Sequence, residues 1–324
     1  MAKRTRALLL TARILDVVAA PFTAAAGAWL KALRKLGLQL MPVSKRVLLK
    51  IGVFPVRDHY YEPMINPKHL RAPLTQNRAL PAIDLNAAGQ LALLSQFTYQ
   101  EELTQFPLQK TDDLKFYYHN ASFGSGDAEY LYSLIRLVKP RRIIEVGSGF
   151  STLMARSAID RNKADCADYT CEHTCIEPYE QPWLEKLGIE IMRRRVEECD
   201  LSLFAALQKN DILFIDSSHV IRPQGDVLFE YLELLPSLQS GVFVHVHDIF
   251  TPRDYLPAWI IDETRLWNEQ YLVEAFLSFN AQFRIVGALN YLFHEHRDAT
   301  LGKFPMLKAE SAVREPGSLW LQRA

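Results

Sequence analysis

The chain has 324 residues, 49% apolar and 23% charged, with a formal net charge of zero. That length holds one large core, or a catalytic domain with a smaller accessory piece, and the composition is that of an ordinary globular protein. The neutral total hides a division: residues 1–50 carry ten Lys/Arg and one acid, Asp16, for a net of +9, and the remainder carries 27 basic and 36 acidic residues, for −9. A basic arm before an acidic body suggests an anionic partner for the arm. Nucleic acid is not expected, because the basic residues have little aromatic interleaving.

In chain order, residues 1–50 read as a basic arm with two amphipathic helical segments meeting near Pro21. Arg13, Asp16, Thr23, Lys31, Arg34 and Lys35 fall on one side, and Leu15, Val18, Phe22, Trp29, Leu33 and Leu36 on the other. Arg13 and Asp16 interrupt the first apolar run, so neither a signal peptide nor a membrane-spanning helix is expected. An anionic membrane surface is one expected occupant of the arm, with Trp29 and Leu33 dipping into it. Packing on the body or on a second subunit, as in a homodimer, is the other. Residues 51–125, with six prolines and the cluster Asp58–Glu62, read as a cap or lid.

From 126 to 300 a regular alternation predicts helices at Asp127–Val138, Thr152–Asp160, Pro182–Leu187, Leu201–Gln208, Asp226–Leu238 and Asp262–Ser278. Between them it predicts strands at Arg142–Val146, Thr170–Ile176, Ile189–Arg194, Asp211–Ile215 and Gly241–Val246, followed by paired strands Phe283–Val286 and Leu289–Phe293. Near-continuous apolar strands alternating with helices imply an α/β fold, a mostly parallel sheet covered on both faces. Residues 301–324 read as a C-terminal tail. Cys166, Cys171, Cys175 and Cys199 form no disulfide framework for a chain this long, and a reducing cytoplasm is the expected compartment. Cys171, His173 and Cys175 would share a strand face, but buried structural thiols are preferred there to a metal site.

The chemistry gathers at strand ends. Glu145-Val146-Gly147-Ser148-Gly149-Phe150-Ser151-Thr152 is a strand, a glycine turn and a helix start, where backbone approaches a ligand closely and helix N–H groups are free. A nicotinamide fingerprint would place a third glycine where Thr152 stands. An acid before the turn suits a ligand with an ammonium beside a carboxylate, such as the methionyl end of S-adenosylmethionine. Glu177, closing the second strand, can accept two ribose hydroxyls at the edge where open α/β sheets bind ligands. Glu145–Thr152, Ile176–Pro178, Asp211–Val220 and Gly241–Pro252 together resemble a bacterial branch of the class I S-adenosylmethionine-dependent methyltransferases, which carries Gly-Ser-Gly-Phe-Ser-Thr, Phe-Ile-Asp-Ser-Ser-His and His-Asp-Ile-Phe. The resemblance spans roughly residues 115–295. It implies a Rossmann-like seven-stranded sheet with one antiparallel strand, cofactor contacts from Glu145, Gly147, Ser148, Gly149, Ser151, Thr152, Glu177, Glu197 and Asp216, and the adenine near Val196–Cys199.

Strand four ends in Asp216-Ser217-Ser218-His219 and strand five in His247-Asp248. His219 is the candidate general base, with Asp216 beside it, for O-methylation of a saccharide, lipid-linked or other small-molecule hydroxyl. Asp216, His247 and Asp248 are also a candidate ligand set for a divalent metal (Mg, Mn or Fe), similar to metal-dependent O-methyltransferases. His247 breaks their all-oxygen pattern, so an obligatory metal is not expected. Rival readings are an oxygenase-like enzyme with redox iron in that set, and a non-catalytic module that binds the cofactor and docks through its arm. The expected location is cytoplasmic, peripheral to the inner face of the membrane if the arm binds lipid.

Overall fold

The computed structural model describes residues 2–179 and 181–324, with side chains from Leu9 onward. The chain forms two compact units, Met1–Arg71 and Ala72–Ala324.

In the first unit, α1 (Ala2–Leu36) runs unbroken through Pro21, where two segments were expected. Pro21 removes one helix hydrogen bond, but Ala19, Ala20 and Ala24–Ala26 are the strongest helix formers and carry the turn across it. Within Leu9–Leu36 an 18-residue window has a mean hydropathy of 1.5, so this helix is long and apolar enough to cross a membrane by length and composition alone, with Arg13 and Asp16 still interrupting it. α2 (Pro42–Ile51) starts on a proline and ends at Gly52, whose φ of 80° is left-handed. Downstream, Glu62 accepts two hydrogen bonds from Arg34 on α1, at 2.8 and 2.9 Å, and others from Arg57. This fork ties the Asp58–Glu62 cluster to the helix.

The second unit is built on β1 (Arg142–Val146), β2 (Glu172–Ile176), β3 (Glu190–Met192), β4 (Ile212–Ile215), β5 (Phe243–Val246), β6 (Phe283–Ala288) and β7 (Leu319–Arg323), in the spatial order β3-β2-β1-β4-β5-β7-β6. β1 to β5 pair in parallel, and β7 runs antiparallel to both of its neighbours. This is the seven-stranded, Rossmann-like arrangement expected from the sequence. Alternate strand residues feed two cores, as a period of two requires. Ile143, Ile212 and Phe214 face one core and Ile144, Leu213 and Ile215 the other. α5 (Asp127–Val138) and α6 (Phe150–Asp165) pack on the first. Asp211 fixes where β1 and β4 begin by accepting backbone N–H bonds from Arg141, Arg142 and Gln208.

Residues 72–125 lie within the segment read as a cap or lid, 51–125. They carry α3 (Ala87–Ser95) and α4 (Gln100–Leu103), and Leu94, Phe97, Leu103, Phe116, Tyr118 and Phe123 are buried in the first core. The predicted strand Leu289–Phe293 is a helix, Leu289–Glu295. The partner of β6 is instead β7, from the segment read as a tail. Trp320 of β7 stacks on Tyr130 of α5 at 5.5 Å, while Leu319 and Leu321 enter the second core, so this strand seals both faces.

Candidate active site

Parallel strands deliver their C-terminal ends to one edge, and the predicted residues meet there. After β1 the chain turns at Gly147 (φ 77°), where an added Cβ would lie 1.9 Å from the carbonyl oxygen of Asp216. Only glycine lets the ends of β1 and β4 approach this closely. At Gly149 an added Cβ would meet no atom within 4 Å, because that position opens into the cleft. One cavity of about 480 Å³ is lined by Gly147, Glu177, Val196, Glu197, Asp216 and their neighbours. A second, of about 230 Å³, is lined by Phe123, Ser148, Gly149, Ser151 and Trp183. Gly147, Glu177 and Asp216 line both.

Glu177 accepts the Ser148 N–H at 3.0 Å on one oxygen and the Tyr179 N–H at 2.9 Å on the other. A carboxylate has about four acceptor positions, so each oxygen keeps one free. The Ser148 hydroxyl is buried with no partner. Glu145 and Thr152 lie beneath the loop and line neither cavity. The Glu145 carboxylate accepts from the Ser151 and Thr152 hydroxyls and meets His173 Nε2 at 3.2 Å, so it anchors the start of α6. Cys175 completes that buried group, while Cys171 falls outside β2.

At the reacting end, His219 (φ 60°) and Asp248 (φ 57°) both hold left-handed backbone, a strained conformation that concentrates at functional sites. His219 Nδ1 lies 2.8 Å from Glu269, and Nε2 lies 3.3 Å from Asp216 and 3.7 Å from Asp248. Burial opposes charge on this imidazole, but hydrogen bonds to Asp216 and Glu269 outweigh it and hold the pKa well above the ordinary histidine value. Burial likewise opposes ionisation of Asp216, yet the nearby His247 and the His219 hydrogen bond bring it down to about 2. Burial raises Asp248, against the pull of His247 and His219. His245, stacked on Phe214 at 3.8 Å and bonded to Ser318 at 2.9 Å, is held neutral by burial and by the neighbouring His247.

Asp216, His247 and Asp248 share the edge but do not converge as metal ligands. Among the described residues, the trio whose donor atoms lie within 4.8 Å of one another is Glu145, His173 and Cys175. His219 stands between Asp216 and Asp248 with its Nε2 against both carboxylates, so an imidazole occupies the position a metal would need. The set does not fit a bound cation. Sequence reading missed Glu269, which lies 50 residues beyond His219 at the start of the helix Glu269–Leu277 and belongs to no local motif. It also missed Asp226, which holds the Ser218 N–H and hydroxyl and thereby shapes the loop after β4.

Residues 144–249 match a family model described as a methyltransferase domain. An uncharacterised protein of Archaeoglobus fulgidus is 34% identical over 175 residues, which are 49% of this chain and 76% of that protein. Among solved structures, the O-methyltransferase TomG of Streptomyces achromogenes, involved in tomaymycin synthesis and complexed with S-adenosylmethionine, aligns with 77% of this chain and 92% of its own at 13% identity and a TM-score of 0.36. An O-methyltransferase of Bacillus cereus complexed with S-adenosylhomocysteine aligns with 72% and 91% at 11% identity and a TM-score of 0.35. The chain belongs to one family with the archaeal protein, and its residues 144–249, over β1 to β5, match a methyltransferase domain.

Proposed function

We propose that this protein transfers a methyl group from S-adenosylmethionine to a hydroxyl oxygen on a small-molecule, saccharide or lipid-linked acceptor. The observation that carries the reading is the pair of cavities joined at Gly147, Glu177 and Asp216. Glu177 keeps a free acceptor position on each oxygen for the ribose hydroxyls, and Val196 and Glu197 line the space beside it for the adenine. Ser148, Gly149 and Ser151 line the smaller cavity, where the amino-acid end fits. When bound, S-adenosylmethionine supplies an electrophilic methyl: the S–CH₃ bond breaks as O–CH₃ forms, leaving a thioether and one proton from the hydroxyl.

That proton is the work of this chain's own residues. Asp216 lines the cleft, orients the acceptor hydroxyl and passes its proton to Nε2 of the neutral His219 ring, which Glu269 fixes through Nδ1. No step requires a metal, which separates this reading from an iron oxygenase. Turnover of any acceptor separates it from a binding module.

Titration calorimetry with S-adenosylmethionine and NAD tests the cofactor. Glu177→Ala is expected to weaken S-adenosylmethionine by about 1.5–3 kcal/mol, the scale of charge-assisted hydrogen bonds. Gly149→Val is expected to weaken it at least as much while keeping the fold, since its side chain meets only the cleft. Unchanged affinity in both variants, or tighter binding of NAD, defeats the assignment.

A further inference from the structure

We infer that α1 is a lipid-binding element, lying in the plane of an anionic bilayer with its apolar face in the acyl boundary. Ile14, Leu15, Val18, Phe22, Trp29 and Leu36 are between 56% and 77% exposed. At about 100° per residue they fall within one arc of about 100°. Arg13, Asp16, Lys31, Arg34 and Lys35 fall within an opposite arc of similar width. No residue of the apolar 18-residue window in Leu9–Leu36 is buried, so this face is left uncovered.

Charge decides the occupant. The net of +9 over residues 1–50 puts cations along the wet side and at both ends of the apolar stretch, where they reach lipid phosphates. α2 is of the same kind, with Val43, Val47 and Ile51 exposed at four-residue spacing among Lys45, Arg46 and Lys50. Trp29 suits the headgroup boundary. Leu33, expected to insert beside it, is buried and takes no part. Length alone would also permit α1 to cross the bilayer. Crossing does not call for all five charges from Arg13 to Lys35 to share one arc, however, and it would bury Arg13 and Asp16 in hydrocarbon. One wet side and one apolar side describe a helix at an interface.

The test uses the full chain and flotation with vesicles of phosphatidylcholine alone or with phosphatidylglycerol added. Binding is expected to be at least tenfold stronger to the anionic vesicles, to fall as salt is raised, and to be stripped by alkaline carbonate. Val18→Glu with Phe22→Glu is expected to abolish binding while thermal unfolding and S-adenosylmethionine titration stay unchanged, which separates this inference from the methyltransferase reading. Equal binding to both vesicles, or binding to neither, overturns it. So does retention in carbonate, which marks a spanning helix. If the double variant converts a lipid-free dimer to a monomer and leaves vesicle binding intact, the face belongs to a second copy of the chain.

Discussion

Glu269 touches the reaction only through His219, and its contribution should appear in a pH profile. Its carboxylate lies 2.8 Å from Nδ1 and also accepts the Tyr231 hydroxyl at 2.9 Å, so it both orients the ring and favours the imidazolium. If turnover requires the neutral ring, the rate should climb with pH, and its midpoint should lie above the ordinary histidine value because the folded-state pKa is raised. Removing one negative partner weakens the hold on the proton, so Glu269→Gln is expected to move that midpoint to lower pH. The glutamine amide oxygen can still accept from Nδ1–H, so most of the maximal rate should survive. His219→Ala, by contrast, is expected to cost about 10²–10⁴-fold at the optimum. Profiles of kcat against pH for the three proteins decide it; a Glu269→Gln midpoint unchanged or raised would show that Glu269 has no electrostatic role.

At the scale of elements, one carboxylate joins two helix starts. Glu129 on α5 is fully buried and accepts the N–H groups of Gly126, Met306 and Leu307 at 2.8–3.0 Å. It thereby caps its own helix and the start of Pro305–Glu310. Glu129→Ala leaves three buried donors without a partner, and a loss of about 2–5 kcal/mol is expected from denaturant unfolding. A loss under about 1 kcal/mol would mean that water reaches those donors.

The elements also show what the sequence made legible. Short, near-continuous apolar runs, broken only by Glu145 in β1 and His245 in β5, identified β1, β4 and β5, because strands buried on both faces do not alternate. The ends of α5 were legible from Asp127 and from Pro140 two residues past Val138. β7 was not legible: Leu-Trp-Leu-Gln-Arg is short, follows Pro316 and Gly317, and becomes a strand only because β5 and β6 leave a gap of its width. The strand ends placed Glu177, Asp216, His219 and Asp248 together at one edge. Sequence spacing could not show that Glu145 turns inward to the α6 hydroxyls, nor that Glu269 returns to His219 from another element.

At the scale of the whole molecule, both cores and every residue assigned to the reaction lie in the unit that begins at Ala72. A chain starting there is expected to unfold cooperatively and to bind S-adenosylmethionine as the full chain does, while losing affinity for anionic vesicles. Calorimetry and thermal unfolding of the two chains make the comparison; a truncated chain that fails to fold would show that the first unit is part of the scaffold.

The place of β7 has a consequence for biosynthesis. This strand is translated after the other six, yet it belongs between two of them. Until it emerges, the nascent chain presents the hydrogen-bonding edges of β5 and β6 to anything nearby, and open edges of that kind recruit other strands. Variants that delay its insertion should therefore reduce the yield of active protein during synthesis more than they lower the melting temperature of the protein once made.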